Sequence, residues 1–241
     1  AVFNGDPRAL SMGLLGPDVA RALPRMATEP RSLSARVWAF AARPRGVDLA
    51  YHTVFFADTE EAEFGPLAKG ENPADPTIYI CAQDRARAAP QGPERFELIL
   101  NAPPLPHHRP EDPRTCQQMT FARLARMGLT FDPEPEVTTL TRPQEFEAMF
   151  PGSQGAIYGR SPAGALASFL RPRATTRIPG LVLTGGGVHP GAGVPMAALS
   201  GMHAAQAVMN MAPVSTFRSA PMAMRGGIST GSVTTESARS R

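Results

Sequence analysis

The chain is expected to fold as an α+β protein around a mostly antiparallel sheet. Four strand-length runs, starting near Leu33, Tyr51, Thr77 and Phe96, follow one another with few helical patterns between them. Short connections of that kind join antiparallel neighbours, because a parallel crossover needs a dozen or more residues. A third feature, at residues 181–210, reads as strand, glycine turn and helix, and belongs to a different layer.

In chain order, residues 1–3 form a short apolar piece closed by the turn signal Asn4-Gly5-Asp6-Pro7. Residues 9–23 have helical apolar spacing, but Gly13, Gly16 and Pro17 predict a short helix, a break and a second helix. From Arg31 the period changes. Leu33, Ala35, Val37 and Ala39 alternate with Ser34, Arg36, Trp38 and Phe40, the pattern of a strand. Residues 51–57, 77–82 and 96–102 are three more strands, with Pro73, Pro76, Pro90 and Pro93 in the loops before two of them. Residues 115–127 predict a helix with Phe121, Leu124 and Ala125 on one face. Residues 137–140 are strand-like, and Arg142 to Phe146 open a short helix capped by Thr141. From Pro213 the composition turns to Ser, Thr, Gly, Arg and Met without a period, so a disordered tail is expected over 213–241.

The stretch 181–201, LVLTGGGVHPGAGVPMAALSG, carries most of the functional information. A strand-length apolar run breaks into Gly185, Gly186 and Gly187, and a turn follows through His189, Pro190, Gly191 and Gly193. Pro195 then opens a helix, a position where its missing N–H removes no hydrogen bond. Glycine lets a ligand approach the backbone, and the first-turn N–H groups of a helix point outward without intrahelical partners. The pattern marks a cofactor contact surface; the plain alternative is a tight connection. It is neither the G-x-G-x-x-G of a dinucleotide-binding turn nor a P-loop, since the chain's only lysine is Lys69.

The run TRIPGLVLTGGGVHPGAGVPMAALSGMHAA, with RSLSARVWAFAARPRG, YHTVFFADTEEAEF, DPTIYICAQDR, LILNAPP, PEVTTLTRPQEFEAMFPGSQGAIYGR and ASFLRPR upstream of it, resembles the C-terminal half of the FAD-dependent carotenoid desaturases of phytoene desaturase type. The glycine-rich run looks most like the hydroxyneurosporene (methoxyneurosporene) desaturase branch. The resemblance covers about residues 1–210. It implies part of a glutathione-reductase-type FAD-binding fold whose N-terminal Rossmann entry is missing here. In that scheme 1–30 leave the FAD-binding domain, 31–174 form the substrate domain and 175–212 return to the FAD-binding domain. Gly185, Gly186, Gly187, Pro190, Gly191 and Gly193 would pack against FAD, with Val194, Pro195 and Met196 aimed at its ring. A helix N-terminus there favours negative charge on the ring. His189 is the candidate acid or base, or else a turn histidine tied to backbone. Gly155 and Tyr158 would line the place of a rod-shaped acyclic carotenoid, 1-hydroxy or 1-methoxy, or else belong to an ordinary glycine-rich loop. Trp38, Phe40, Phe55 and Phe56 are read as core before channel.

The resemblance implies an oxidoreductase of carotenoid biosynthesis and photosynthesis. Such an enzyme is cytoplasmic and peripheral on the inner, photosynthetic membrane, with Met12, Leu14 and Leu15 as a candidate lipid contact. A non-catalytic accessory chain, a phytoene desaturase or carotenoid isomerase, and a flavin oxidase of the amine oxidase type remain open alternatives. Composition narrows the rest. The net charge of +3 is carried almost wholly by arginine, with no arginine cluster interleaved with aromatics, so nucleic acid is not an expected partner. No run of about 18 apolar residues is present. Cys81 and Cys116 are expected to be reduced core thiols. His107-His108 reads as a solvated loop pair, and no motif calls for a metal.

Overall fold

A computed structural model describes residues 1–86, 90–105, 111–164 and 166–211. The tail expected over 213–241 and the pair His107-His108 lie outside them.

The first elements are β1 (Val2–Phe3), α1 (Pro7–Ser11) and α2 (Pro17–Ala20). Asp6 caps α1, its carboxylate accepting Arg8 N at 2.9 Å, and Pro7 and Pro17 sit at the starts of α1 and α2. This is the helix, break, helix expected from the sequence. The large sheet follows: β2 (Ser34–Gly46), β3 (His52–Phe55), β4 (Ile78–Ala82), β5 (Glu94–Ala102), β6 (Leu129–Asp132) and β7 (Leu140–Thr141). Its strand order is β3-β4-β5-β2-β6, with β7 also on β2, and every pairing is antiparallel. The α+β reading holds.

One face of this sheet is the core. Trp38, Ile78, Ile80, Leu98 and Leu100 are inaccessible and meet Phe121 and Leu124 of α4 (Pro113–Arg126). Trp38 lies edge-on to Phe121 with centroids 5.1 Å apart, and Phe40 and Phe96 each meet Phe131 at 5.0 Å. Asp112 caps α4 by accepting Thr115 N at 3.0 Å. Phe55 is in the core and Phe40 packs against it, whereas Phe56 is 71% exposed. Both cysteines are buried free thiols, as expected.

Two elements form where none is expected, and two local expectations are corrected. The helix α3 (Glu60–Ala68) is not evident from the sequence, because Gly65 and Pro66 mask its pattern. It is capped by Thr59, and its buried Glu63 accepts Thr77 N at 2.6 Å and Asn101 Nδ2 at 2.8 Å. The strand β6, only four residues between Gly128 and Pro133, is too short to announce itself. Residues 137–139 form a 3-10 turn, leaving only Leu140 and Thr141 to pair. Thr141 does not cap α5 (Pro143–Met149), because it is taken up in the β7 ladder. Arg142 is the N-cap, its N–H donating to Glu145 Oε2 at 2.9 Å.

The second sheet is small. Val182 and Leu183 of β8 (Val182–Leu183) pair in parallel with Val2 and Phe3 of β1. Leu183 packs with Leu10, Ala22, Leu23 and Val188, and α6 (Val194–Met209) follows the turn.

Candidate functional site: the glycine turn and its two clefts

The turn after β8 is held from three sides. Thr184 N donates to Phe3 O at 3.0 Å, Leu183 N to Ala174 O at 2.7 Å and His189 N to Pro172 O at 2.7 Å. From α6, the buried Ser200 hydroxyl accepts Gly185 N at 2.8 Å and reaches Ala197 O at 2.8 Å. Around Ser200 the buried and half-buried face of α6 is Ala197, Gly201 and Ala204, small residues that let the helix sit close to the turn.

Gly185 has φ +104, and a Cβ there would come 2.3 Å from Asn4 Oδ1. A Cβ on Gly187 would come 2.7 Å from Pro7 Cδ. Gly185 is therefore required by its positive φ and Gly187 by the approach of Pro7 at the start of α1, whatever else they touch. Gly193 differs. It has φ +96 with nothing near its Cβ position, and it is the N-cap of α6 without a side-chain cap. The first N–H groups of a 16-residue helix thus open beside a glycine that blocks nothing.

Two clefts flank the turn. The first, of about 310 Å³, is lined by Gly185 to Gly187 together with Asn4, Asp6, Phe146, Phe150 and Ile157. The second, of about 390 Å³, is lined by Tyr158, Arg171, Met196 and residues 190–193. The segment 158–160 runs between them, with Gly159 lying against Gly187. Of the residues singled out by sequence, the three consecutive glycines therefore face one cleft, and Tyr158, Pro190, Gly191, Gly193 and Met196 face the other. Val194 is 85% exposed and Pro195 is exposed. Gly155 lines neither cleft: its φ is +73 and its Cβ position lies 2.6 Å from Pro143 O, so it seats its loop on α5. His189 also lines neither. Its ring is stacked on Phe169 (6.1 Å between centroids) and on His203 of α6 (6.4 Å).

The structure adds residues that sequence reading passed over. Asp6 pairs with Arg31, and Arg160 with Glu29, all with side chains buried or nearly so. Arg31 Nε also donates to Ser153 O at 3.1 Å. Arg171 is 5% exposed and donates to three backbone carbonyls, of Tyr158, Arg160 and Gly186. Burial pulls its guanidinium below the usual arginine range, with Glu29 acting in the opposite sense. The Asp-Pro signal at Asp6 was a legible clue; nothing local marks Arg171. Among the described residues no group of His, Cys, Asp and Glu could hold a metal ion, and no helix is long and apolar enough to cross a membrane.

An uncapped helix end, an open glycine and a buried guanidinium around one cleft suit a group that is planar or negatively charged on one edge. No protein-family model matches the chain. Among curated proteins it is 58% identical over 209 residues to the hydroxyneurosporene desaturase of Cereibacter sphaeroides, covering 86% of this chain and 42% of that protein. The hydroxyneurosporene desaturase of Rhodobacter capsulatus is 56% identical over 210 residues, with the same coverage. That of Rubrivivax gelatinosus is 43% identical over 240 residues, covering 97% of this chain and 46% of that protein. The chain therefore spans less than half the length of these relatives.

Proposed function

Because the chain belongs to the carotenoid desaturase family, in its hydroxyneurosporene desaturase branch, we propose that it supplies one wall of an FAD site and of the adjoining carotenoid site in a desaturase. The substrate is an acyclic carotenoid, 1-hydroxy or 1-methoxy, into which a C=C bond is introduced. The chemistry FAD supplies when bound is acceptance of a hydride from an unactivated carbon; the vicinal hydrogen leaves as a proton.

The observation that carries this reading is the second cleft. Gly193 leaves the start of α6 open, and a helix N-terminus carries about half a positive charge. That partial charge needs no titration, so the chain favours negative charge in the cleft at any working pH. Tyr158 and Met196 give the same cleft an apolar side, and Phe146, Phe150 and Ile157 do so in the first. A long polyene needs orientation and exclusion of water more than a strong base. In this reading His189, stacked and tied through its backbone, holds the turn in shape. The two domain-level pieces follow the same division, with 31–174 on the substrate side and 1–30 and 175–212 on the flavin side of a glutathione-reductase-type fold. Leu14 and Leu15, both more than half exposed, are the residues offered to a membrane surface.

The test is carotenoid analysis of a host that makes 1-hydroxyneurosporene and expresses the protein from its full reading frame. A product longer by one conjugated double bond is expected. Accumulation of unchanged substrate beside well-expressed, flavin-free protein would favour the accessory-chain alternative.

A further inference from the structure

Two glycine-rich segments meet between the clefts. Gly159 has φ +67, and a Cβ there would come 3.2 Å from the Cα of Gly187. Two irregular segments in such contact cannot pair as a ladder, so their carbonyls need donors from elsewhere. Arg171 provides them. Its Nη1 donates to Tyr158 O and to Gly186 O, both at 2.9 Å, and its Nη2 to Arg160 O at 2.8 Å. One guanidinium thus holds the carbonyls on both sides of Gly159 and one carbonyl of the glycine turn. Only a rigid planar fork with five N–H groups can serve three acceptors spread this way; a lysine ammonium is a point donor on a flexible stem. These main-chain carbonyls set the position of Arg171.

Resting on the flavin-site reading above, we propose that Arg171 is the positioning residue of the site: it locks the substrate-side segment 158–160 onto the glycine turn and so fixes the width of both clefts. Although it also lines the second cleft, its role is indirect: it acts through Gly186 and Tyr158. Burial of a guanidinium hydrogen-bonded to main chain, with Glu29 and Asp6 acting on it only through space, is the energetic cost of that precision, since a simple loop staple would be satisfied by a neutral amide.

The experiment compares Arg171→Lys and Arg171→Gln with the parent protein, each expressed from the full reading frame and titrated with FAD. Flavin fluorescence gives the Kd, the visible absorption envelope gives the environment of the ring, and thermal unfolding is recorded alongside. Loss of hydrogen bonds from a charged donor should raise the FAD Kd about tenfold in Arg171→Lys and alter the envelope, although the charge is kept. The KM for carotenoid should rise with kcat falling less. A Kd within twofold of the parent and an unchanged envelope, even with a lower Tm, would make Arg171 a stabiliser of its loop and overturn the proposal. If Arg171→Lys does not fold, Gly159→Ala, which pushes the same junction apart from the other side, must reproduce the flavin effect or the proposal fails. A parent protein that binds no FAD overturns the flavin-site reading and this proposal together; a parent that binds it beside silent variants overturns this proposal alone.

Discussion

The antiparallel sheet and the β1–β8–α6 region are built in opposite ways. The sheet buries large side chains, with Trp38, Ile78, Ile80, Leu98, Leu100 and Leu124 all inaccessible. The other region buries few: Leu10, Ala22, Leu23, Leu183 and Val188 form its core. Its helix α6 packs through a stripe of small residues while Met202 and Met209 are 67% and 79% exposed. In the first region stability comes from area removed from water; in the second, shape comes from backbone hydrogen bonds and glycines. The region that carries the candidate site is thus the one with the least hydrophobic anchoring, as expected of elements that must open to a ligand.

The comparison breaks first at Trp38. Truncating an inaccessible indole should cost about 3–5 kcal/mol. Trp38→Ala should therefore unfold the sheet at much lower urea, followed by circular dichroism because Trp38 is the sole tryptophan. A loss under about 1 kcal/mol would mean the sheet does not depend on its core.

Gly185→Ala probes the other region. It places a Cβ at φ +104 against Asn4, a strain of order 1–3 kcal/mol. Hydrogen exchange should accelerate in β1, β8 and α6 and stay unchanged in β2 and β5. Uniform acceleration across both regions would show them to be one cooperative unit.

A sharper probe is Met196, half-way out of the second cleft at 42% exposure. With FAD bound, Met196→Asp should lower the flavin potential through a like-charge repulsion of about 1–3 kcal/mol, whereas Met196→Leu should change little. Equal potentials for the two variants would remove α6 from the flavin reading.

The smallest effect is at Cys116. Burial pushes its thiol above the ordinary value of 9.0, with the Arg36 guanidinium opposing. The folded state then keeps a proton that the unfolded chain releases, so this contribution is complete below about pH 9 and declines as pH rises further. Urea unfolding at pH 8 and pH 10 should show a shallower alkaline decline in Cys116→Ala, by at most about 1.4 kcal/mol per pH unit. Parallel declines in both proteins would place the alkaline sensitivity elsewhere.

Some features were local enough to be legible. Alternation marked β2, Pro17 and Gly16 split α1 from α2, and Pro195 after Gly193 announced α6, because period and φ restriction act within a few residues. The glycine run within 181–201 likewise marks its turn locally. Helix α3 and strand β6 were hidden for the same reason: Gly65 and Pro66 contradicted the first locally, and four residues were too few to show a period in the second.

What the sequence determined by itself was the antiparallel α+β plan, the strand–glycine turn–helix unit and the family likeness. Only the tertiary structure decided which glycines answer to neighbours and which to open space. Gly185 and Gly187 face Asn4 and Pro7, about 180 residues earlier in the chain, whereas Gly193 faces nothing. It also decided that Tyr158 and Gly155, three positions apart, serve different surfaces, and that Arg171 joins two segments with no sequence signal between them. Positive φ and turn propensity are properties of single residues, but a convergence of three carbonyls on one guanidinium exists only after distant segments have packed.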